Sequence, residues 1–355
     1  MDFNIYISGC IDIIDFVETV GTDGAKAGFL REKHMEYMKF TANLPLDRTI
    51  KFASAEENTE TMKSWGVNQE VRQLGAGEFR ADLAVRRIED VELYADRFNK
   101  AVSVYLEPPA GTVSFLFPRS VTGKFLACGH NVGNERLIVI PDGSSVDIAV
   151  PDLAGSEAIS ISITRFTELS EVLTPTFIWP DDLTIVEGNL AQLYHLRQTL
   201  LYLVAHKELE VNDELISNLL AATIAWIADS PSQGPRSELV HDRTTRVRIA
   251  KLVQEYIEEH HRQTIRMENL SQETSVGIRT LQRCFKEYFD LSISEYLKAV
   301  RLNAAYRELT VARPSEDSVT SIALRNGFTH LGRFSTEFHN LFGQLPSELL
   351  STRAN

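Results

Sequence analysis

A cationic helix face lies near the C-terminal end of the chain. Arg279, Gln282, Arg283 and Lys286 recur at the i, i+3, i+4 and i+7 spacing of one helix face. Arginine can bond bidentately to guanine O6 and N7, glutamine to adenine N6 and N7, and lysine can hold a phosphate. The pattern favours a helix that contacts DNA over the alternative, a solvated cationic stripe stabilised by neighbouring acids. The apolar side chains of the segment fall on the opposite face: Ile278, Leu281 and Phe285.

A second amphipathic segment, residues 327 to 346, reads GFTHLGRFSTEFHNLFGQLP. Asn326-Gly327 supplies a left-handed stop for a preceding helix, and Thr329 is a candidate N-cap for the next one. We therefore predict a helix, a tight turn and a second helix. The i, i+4, i+7 and i+8 spacing of its apolar residues predicts one buried face: Phe334, Phe338, Leu341 and Phe342.

The two segments are copies of one unit. Sliding the sequence on itself by 53 positions places IRTLQRCFKEYFDLSISEYL over GRFSTEFHNLFGQLPSELL, with Leu281 on Phe334 and Phe285 on Phe338. Each copy has a positioning helix, a turn and a second helix. Because solenoids generally need three or more repeats, two copies favour paired helix-turn-helix units.

Residues 246 to 350 resemble the AraC/XylS class of bacterial transcription regulators. The strongest part of the resemblance is SVTSIALRNGFTHLGRF, residues 318 to 334, and a weaker part is QLGAGEF, residues 73 to 79. The resemblance implies two helix-turn-helix subdomains joined by a long helix, ISEYLKAVRLNAAYREL. It also implies that the second helix of each subdomain enters the major groove, the two grooves being successive on one side of the duplex.

The DNA contacts that the resemblance implies lie on the second helix of each copy. In the first copy they fall on Arg279, Thr280, Gln282, Arg283 and Lys286, and in the second copy on His330, Leu331, Gly332, Arg333 and Thr336. Leu331 and Gly332 offer no hydrogen-bonding side chain, so we expect base reading to concentrate in the first copy. The first copy departs from the family pattern at two positions, with Ser275 where a turn glycine is usual and Arg266 where the second copy has the N-cap Ser318.

Charge is divided unevenly along the chain. The net charge is −13, but residues 241–355 hold 16 Lys and Arg against 14 Asp and Glu, whereas residues 1–240 hold 20 against 35. The acidity is therefore N-terminal, and the last third can still present a basic face to phosphate. A chain of 355 residues also exceeds what one core usually serves, which predicts two domains.

Short β-branched and aromatic runs between Gly and Pro turns, from about residue 73 to 165, predict a β-rich sandwich or barrel. The expected fold is α+β and multidomain, with a cupin-like N-terminal barrel or sandwich, a helical hairpin and an all-α double helix-turn-helix domain. We place the β-rich effector domain at 1–185, a helical dimerisation element at 186–228, a linker at 229–240 and the DNA-binding domain at 241–355.

A leucine stripe marks the first helix of the predicted hairpin. Its spacing of i, i+3, i+7 and i+10 predicts one apolar helix face. The face can be a subunit seam, which we favour, or it can pack on its own domain. The residues assigned to the dimer contact are Leu193, Leu196, Leu200 and Leu203.

Enzyme, metal and membrane signals are missing from the sequence. There is no GxSxG, Walker loop or HExxH motif, and Cys10, Cys128 and Cys284 lack metal-ligand spacing. No apolar run of eighteen residues and no basic leader followed by an apolar stretch occurs. We therefore expect a cytoplasmic protein that is not an enzyme, has no cofactor and no metal, and does not bind membranes.

Three functional hypotheses follow. The first is a transcription regulator, an activator, that acts as a homodimer on double-stranded DNA, senses a small molecule through its N-terminal domain and contacts RNA polymerase. The second is a constitutive or architectural DNA-binding protein whose N-terminal domain only mediates partner contact. The third is an enzyme fused to a DNA-binding tail, which the missing catalytic motifs disfavour. Neither the effector nor its binding residues can be read from the sequence.

Overall fold

Two antiparallel β-sheets form the N-terminal part of the chain. The computed structural model describes residues 50–121, 123–206, 209–230 and 237–351. One sheet has seven strands in the order β1-β3-β4-β11-β6-β9-β12, and the other has five in the order β2-β5-β10-β7-β8. The strands are β1 Ile50–Phe52, β2 Asn68–Gln73, β3 Ala81–Ile88, β4 Val91–Phe98, β5 Val102–Glu107, β6 Thr112–Ser120, β7 Leu126–Ala127, β8 His130–Asn131, β9 Arg136–Ile140, β10 Val146–Val150, β11 Ala154–Ser162 and β12 Thr184–Glu187.

Strand periodicity divides the seven-stranded sheet into two buried faces. Successive side chains of a strand point to opposite faces. On β4, Leu93 and Ala95 therefore belong to the core under the helices, whereas Tyr94 and Phe98 face the second sheet. The sheet therefore has a buried layer on each of its faces.

The helices of this part of the chain are α1 Ala55–Ser64, α2 Ile163–Leu173, α3 Leu190–Ala205 and α4 Asp213–Ala228. Of these, α2, α3 and α4 cover the outer face of the larger sheet, whereas α1 packs against β2 of the smaller sheet. Asn189 and Asn212 begin the hairpin helices α3 and α4, and each side-chain oxygen accepts hydrogen bonds from backbone N–H groups of the first turn. Ser54 and Ser162 cap α1 and α2 in the same way.

The leucine stripe of α3 lies in this core. Its four side chains are at most 7% exposed and pack with the sheet and α4 of the same chain. This corrects the assignment of Leu193, Leu196, Leu200 and Leu203 to a subunit seam, because a seam needs free surface that intramolecular packing has already covered. A helix packing on its own domain has the same spacing, so the sequence pattern alone could not separate the two cases.

Seven helices form the described C-terminal part of the chain. They are α5 Ser237–His260, α6 Met267–Thr274, α7 Ile278–Phe289, α8 Ile293–Val311, α9 Val319–Arg325, α10 Leu331–Phe342 and α11 Pro346–Ser351. The helix α5 begins inside the segment predicted as a linker, residues 229–240, of which 231–236 lie outside the described residues. Two separate cores hold the two copies of the repeat, one around Phe285 and one around Phe338.

The predicted fold class is confirmed: a β-rich N-terminal part is followed by a helical double helix-turn-helix part. The two sheets are open, with no closed barrel. Residues 1–49, including Cys10, lie outside the described part. No described helix is long and apolar enough to cross a membrane, and no group of three or more His, Cys, Asp or Glu in the described residues could hold a metal ion.

Candidate nucleic-acid interface and effector cavity

The first recognition helix, α7, separates an apolar face from a cationic one. Leu281 and Phe285 are fully buried, and the Phe285 ring meets Tyr296 of α8 edge-on at 5.2 Å between centroids. The predicted DNA-contacting side chains are exposed, except for Thr280, which is partly covered. The chain thus brings one cationic surface to solvent: Arg279, Gln282, Arg283 and Lys286.

The cations of this face are not equivalent. Among the described residues, neither Arg279 nor Arg283 has an ion pair, so both guanidinium groups are available to a partner. The Lys286 ammonium instead lies 3.6 Å from the Asp290 carboxylate and donates to the Asp290 backbone carbonyl. The two arginines are the better candidates for bidentate base contacts, and Lys286 is the better candidate for phosphate.

A left-handed residue makes the turn between α6 and α7. Ser275 adopts φ 54°, where the second copy has Gly327 at φ 78°. The Ser271 hydroxyl donates to the Val276 carbonyl and fastens the turn at 2.8 Å. Arg266 stands at the N-cap of α6 with no side-chain cap. The first copy therefore keeps the turn although it lacks the glycine and the serine cap of the second.

The second recognition helix, α10, has the predicted apolar face. Phe334 and Phe338 are fully buried, and the Phe334 ring lies 4.8 Å from Phe328 and 5.6 Å from Phe338 between centroids. Ser318 and Ser321 form a capping box at the start of the positioning helix α9. The N-cap of α10 is His330, without a side-chain cap, so the prediction of Thr329 as the N-cap was wrong by one residue.

The solvent face of α10 offers fewer free hydrogen-bonding groups to DNA than that of α7. The Arg333 guanidinium donates to the Glu337 carboxylate at 3.0 Å, and the Thr336 hydroxyl donates to the Gly332 carbonyl at 3.1 Å. His330 and Leu331 are exposed. The one guanidinium among the predicted contacts of α10 is thus already paired, whereas α7 presents two without ion pairs.

Polar contacts dock the β domain onto the first helix-turn-helix copy. The Asp147 carboxylate of β10 accepts a hydrogen bond from the Tyr288 hydroxyl at 3.0 Å, lies 3.3 Å from the Lys251 ammonium and accepts from Gln254 at 3.4 Å. Burial, with the nearby Cys128 and Asp147 charges, raises the pKa of Tyr288 above its ordinary range, so the phenol stays a donor. One buried carboxylate therefore joins two helices of the C-terminal domain to the sheet.

The QLGAGEF segment docks onto the second copy and the long helix. The backbone N–H and C=O of Gln73 pair with the Asn303 side chain of α8 at 3.1 and 2.9 Å. The Gly77 N–H donates to the Asn340 carbonyl near the end of α10 at 2.9 Å. Arg72 reaches Glu258 at 2.6 Å and the Tyr296 hydroxyl at 3.0 Å. The β domain thus contacts both copies, while the recognition faces stay exposed.

A cavity of about 70 Å³ lies between the two sheets and opens to solvent at its mouth. A mostly apolar cavity with a small number of polar groups is typical of small-molecule sites. Most of its wall is apolar, and the polar groups that reach it are few. Its lining residues include Met62, Gln69, Asp96, Ser114, Ser156, Ala158 and Ser160.

Asp96 is the one carboxylate that the described residues contribute to the cavity wall. Its two carboxylate oxygens accept hydrogen bonds from the Ser156 backbone N–H at 2.7 Å and the Ser156 hydroxyl at 2.9 Å. Burial raises the pKa of Asp96 from 3.8 to about 6, because desolvation outweighs these hydrogen bonds and the nearby Arg119 charge. A strongly perturbed carboxyl in a cavity is a candidate ligand-binding group.

The variant Asp96→Asn is expected to be more stable than the parent chain at about pH 7.5. The folded pKa of Asp96 lies above its ordinary value, so its contribution to stability is complete below about pH 4 and is lost as the pH rises through about 6. Asparagine keeps the shape and can bond to Ser156 without ionising. Thermal unfolding should give a gain of about 1 to 3 kcal/mol at about pH 7.5 that vanishes near pH 4. A loss of stability at the higher pH would contradict this account of Asp96.

The variant Arg283→Ala is expected to weaken DNA binding by about 1 to 3 kcal/mol and to relax the preference at one base pair. We expect this loss because the Arg283 guanidinium is exposed and has no ion pair among the described residues, so it can bond to a base. Fluorescence anisotropy over single-base variants of the site measures both effects. Lys286→Ala is the matched control, and it should weaken binding to all DNA sequences by the same factor. Uniform weakening by Arg283→Ala would mean that this side chain touches only phosphate.

Three residues with roles in the structure were not predicted from the sequence. Asn303 and Asp147 contact the other domain across 230 and 141 residues of chain, so no local sequence pattern indicates these contacts. In the sequence, Asp96 resembles any other acid in a strand. It could have been identified from the alternation on β4, which places it on the same inner face as Tyr94 and Phe98, where a charged side chain is unexpected.

Comparisons with known proteins bear on the C-terminal part. A family of helix-turn-helix domains matches residues 270–352. The "Probable thc operon regulatory protein" of Rhodococcus erythropolis is 33% identical over 117 residues, which are 33% of this chain and 35% of that protein. The HTH-type transcriptional activator RhaS of Escherichia fergusonii is 34% identical over 117 residues, 33% of this chain and 41% of that protein. The match thus spans less than half the length of either relative.

Among solved structures, a transcriptional regulator from Chromobacterium violaceum with an AraC-type DNA-binding domain is similar to this chain. Its sequence identity is 25% and its TM-score is 0.29. The similarity covers 32% of this chain and 97% of that one.

Proposed function

We propose that this chain, whose C-terminal domain belongs to the AraC/XylS family of helix-turn-helix regulators, binds two adjacent boxes in double-stranded DNA and regulates transcription. The observation that carries the proposal is the exposed face of α7, where Arg279 and Arg283, beside Gln282, have no ion pair with any described residue. Such a face fits the major groove. The name of the RhaS relative, a transcriptional activator, favours activation over repression.

Selection of binding sites from random DNA tests this function. We expect one sharply defined box beside a vaguer one about a helical turn away, with the sharp box under α7. The reason is that α10 offers Leu331, Gly332 and a paired Arg333, which suit phosphates and groove shape better than base edges. Two equally sharp boxes would contradict this asymmetry. Failure to enrich any sequence would remove the proposed function itself.

We further propose that the β domain senses a small molecule in the cavity between its sheets. Two elements support a route from the cavity to the DNA-binding domain. On β2, Gln69 lines the cavity and Arg72 contacts Glu258. On α1, Met62 lines the cavity, while Glu56 of the same helix pairs with Arg307 of α8 at 3.2 Å. A ligand that shifts either element would act on α5 or α8, against which the recognition helices α7 and α10 pack.

The partners we propose are a second copy of the chain and RNA polymerase, with the cytoplasm, where chromosomal DNA lies, as the place of action. Because the leucine stripe has no free surface, a homodimer contact has to use exposed side chains. Val172, Leu173 and Ile178 are exposed apolar residues at the end of α2 and just beyond it. Sedimentation of the full chain measures its oligomeric state.

The competing proposal is a constitutive or architectural DNA-binding protein whose β domain only contacts a partner. The cavity and its buried carboxylate favour the sensor, because docking alone has no use for either. Ligand-dependent thermal stabilisation separates the two, since a ligand that binds the folded form must stabilise it.

A further inference from the structure

The centre of the inner sheet face is made of small and polar residues. Ser114 on β6 and Ser156, Ala158 and Ser160 on β11 occupy inner-face positions that large apolar side chains fill elsewhere in the sheet. The Ser114 and Ser160 hydroxyls bond to each other at 3.0 Å, so neither reaches for the second sheet. Because interiors are normally close-packed, a gap at this place costs stability and indicates a ligand space.

The charge in the wall restricts what can enter. Among the described residues, the cavity lining includes no lysine, arginine or histidine and a single acid, Asp96. Burying an anion there would leave two negative groups without a cation on the cavity side, which is strongly unfavourable. The wall therefore selects against carboxylate and phosphate ligands.

The nearest cation is committed elsewhere. The Arg119 guanidinium donates to the backbone carbonyl of Asp96 at 3.1 Å and pairs with Glu157 at 2.8 Å. Asp96 itself is held by Ser156 from one side, and each carboxylate oxygen retains a lone pair for a further donor. Burial raises the pKa of Asp96 because it disfavours the charged carboxylate, so a cationic partner would stabilise the ionised form.

We propose that the cavity takes a small apolar molecule that carries an amine, with its ammonium group donating to the Asp96 carboxylate and its apolar body lying among Met62, Leu83 and Leu116. This inference rests on the proposed sensor function of the β domain. An alcohol of the same shape can donate to Asp96 but brings no charge, so it binds more weakly. A carboxylic acid of the same shape is excluded.

Matched ligand triads test this class on the full chain. Each triad consists of an amine, an alcohol and a carboxylate that carry the same apolar group, which is hexyl, cyclohexylmethyl or phenethyl. Binding of each compound is measured by calorimetry and thermal shift. At neutral pH, at least one amine should bind about tenfold or more tighter than its alcohol, the gain typical of a charge-assisted hydrogen bond. The matching acid should give no shift.

Three variants locate the binding. Asp96→Asn should weaken the amine by about tenfold or more while changing the alcohol little, and Asp181→Asn, an exposed acid outside the cavity, should change neither. Ala158→Leu should abolish all binding by filling the cavity.

The outcomes separate the ligand class from the sensor function. An acid that binds best and is lost in Ala158→Leu overturns the amine class but leaves the sensor. If no triad member binds, or if binding survives Ala158→Leu, the cavity is not the site and both proposals fail. DNA binding, measured on the same preparations, reports on the regulator independently.

Discussion

Replacing Phe334 with alanine is expected to destabilise the second helix-turn-helix copy by about 3 to 5 kcal/mol and to abolish its DNA contacts by unfolding it. Phe334 is fully buried and joins α10 to the positioning helix α9 through Phe328 and the core that includes Ile322. Removing the ring leaves a cavity in a core that has ten buried side chains among the described residues. Chemical denaturation followed by circular dichroism measures the loss.

The matched control is the neighbouring residue of the same helix. Arg333→Ala removes an exposed side chain whose one ion pair, with Glu337, is solvated, so stability should stay within about 0.5 kcal/mol. DNA binding should weaken, and its dependence on salt should flatten. If both variants lose stability equally, Phe334 is not the residue that holds the two helices together.

Replacing Glu157 with alanine is expected to destabilise the β domain by about 3 to 5 kcal/mol. The Glu157 carboxylate lies 2.8 Å from Arg119 and 3.0 Å from Arg197, and all three side chains are at most 5% exposed. Arg197 comes from α3, so this acid ties the helical layer to the sheet. Its removal leaves two guanidinium groups buried near each other without the charge between them. Thermal and chemical unfolding of the full chain measure the effect.

An exposed pair of the same chemistry provides the control. Glu187 and Arg136 lie 3.0 Å apart with side chains 51% and 39% exposed, so Glu187→Ala should cost less than about 1 kcal/mol. Glu157→Gln, which keeps the shape and loses the charge, should fall between the two. A small loss in Glu157→Ala would mean that water enters and solvates the arginines.

In the C-terminal domain, the local spacing of residues was sufficient to predict which helix faces are buried and which are exposed. An α-helix places residues three and four apart on one face, so the repeated apolar positions around Leu281 and Phe334 identify both buried stripes and leave the cationic face of α7 to solvent. The turn residues Ser275 and Gly327 act within one or two positions of the helices that they end. Each of these features depends on neighbours in the chain, which is why the sequence determined them.

Local patterns also have limits inside this domain. Thr329 and His330 are adjacent, and only the path of the backbone out of the turn decides which becomes the N-cap. Arg333 was assigned to a DNA contact, and its pairing with Glu337 four residues later depends on the rotamers that both side chains adopt.

Tertiary structure decided everything that joins distant segments. The spacing of its leucines predicts that α3 has one apolar face that must be buried. Whether that face packs against a second chain or against its own sheet depends on where β4 and β11 lie. The same holds for the cavity, because a gap exists only where two sheets fail to fill the space between them. Burial in the tertiary structure is the largest cause of the raised pKa of Asp96, which in the sequence is one acid of a strand. The sequence determined which faces must be buried; the pairing of elements far apart in the chain determined what buries them and what space is left.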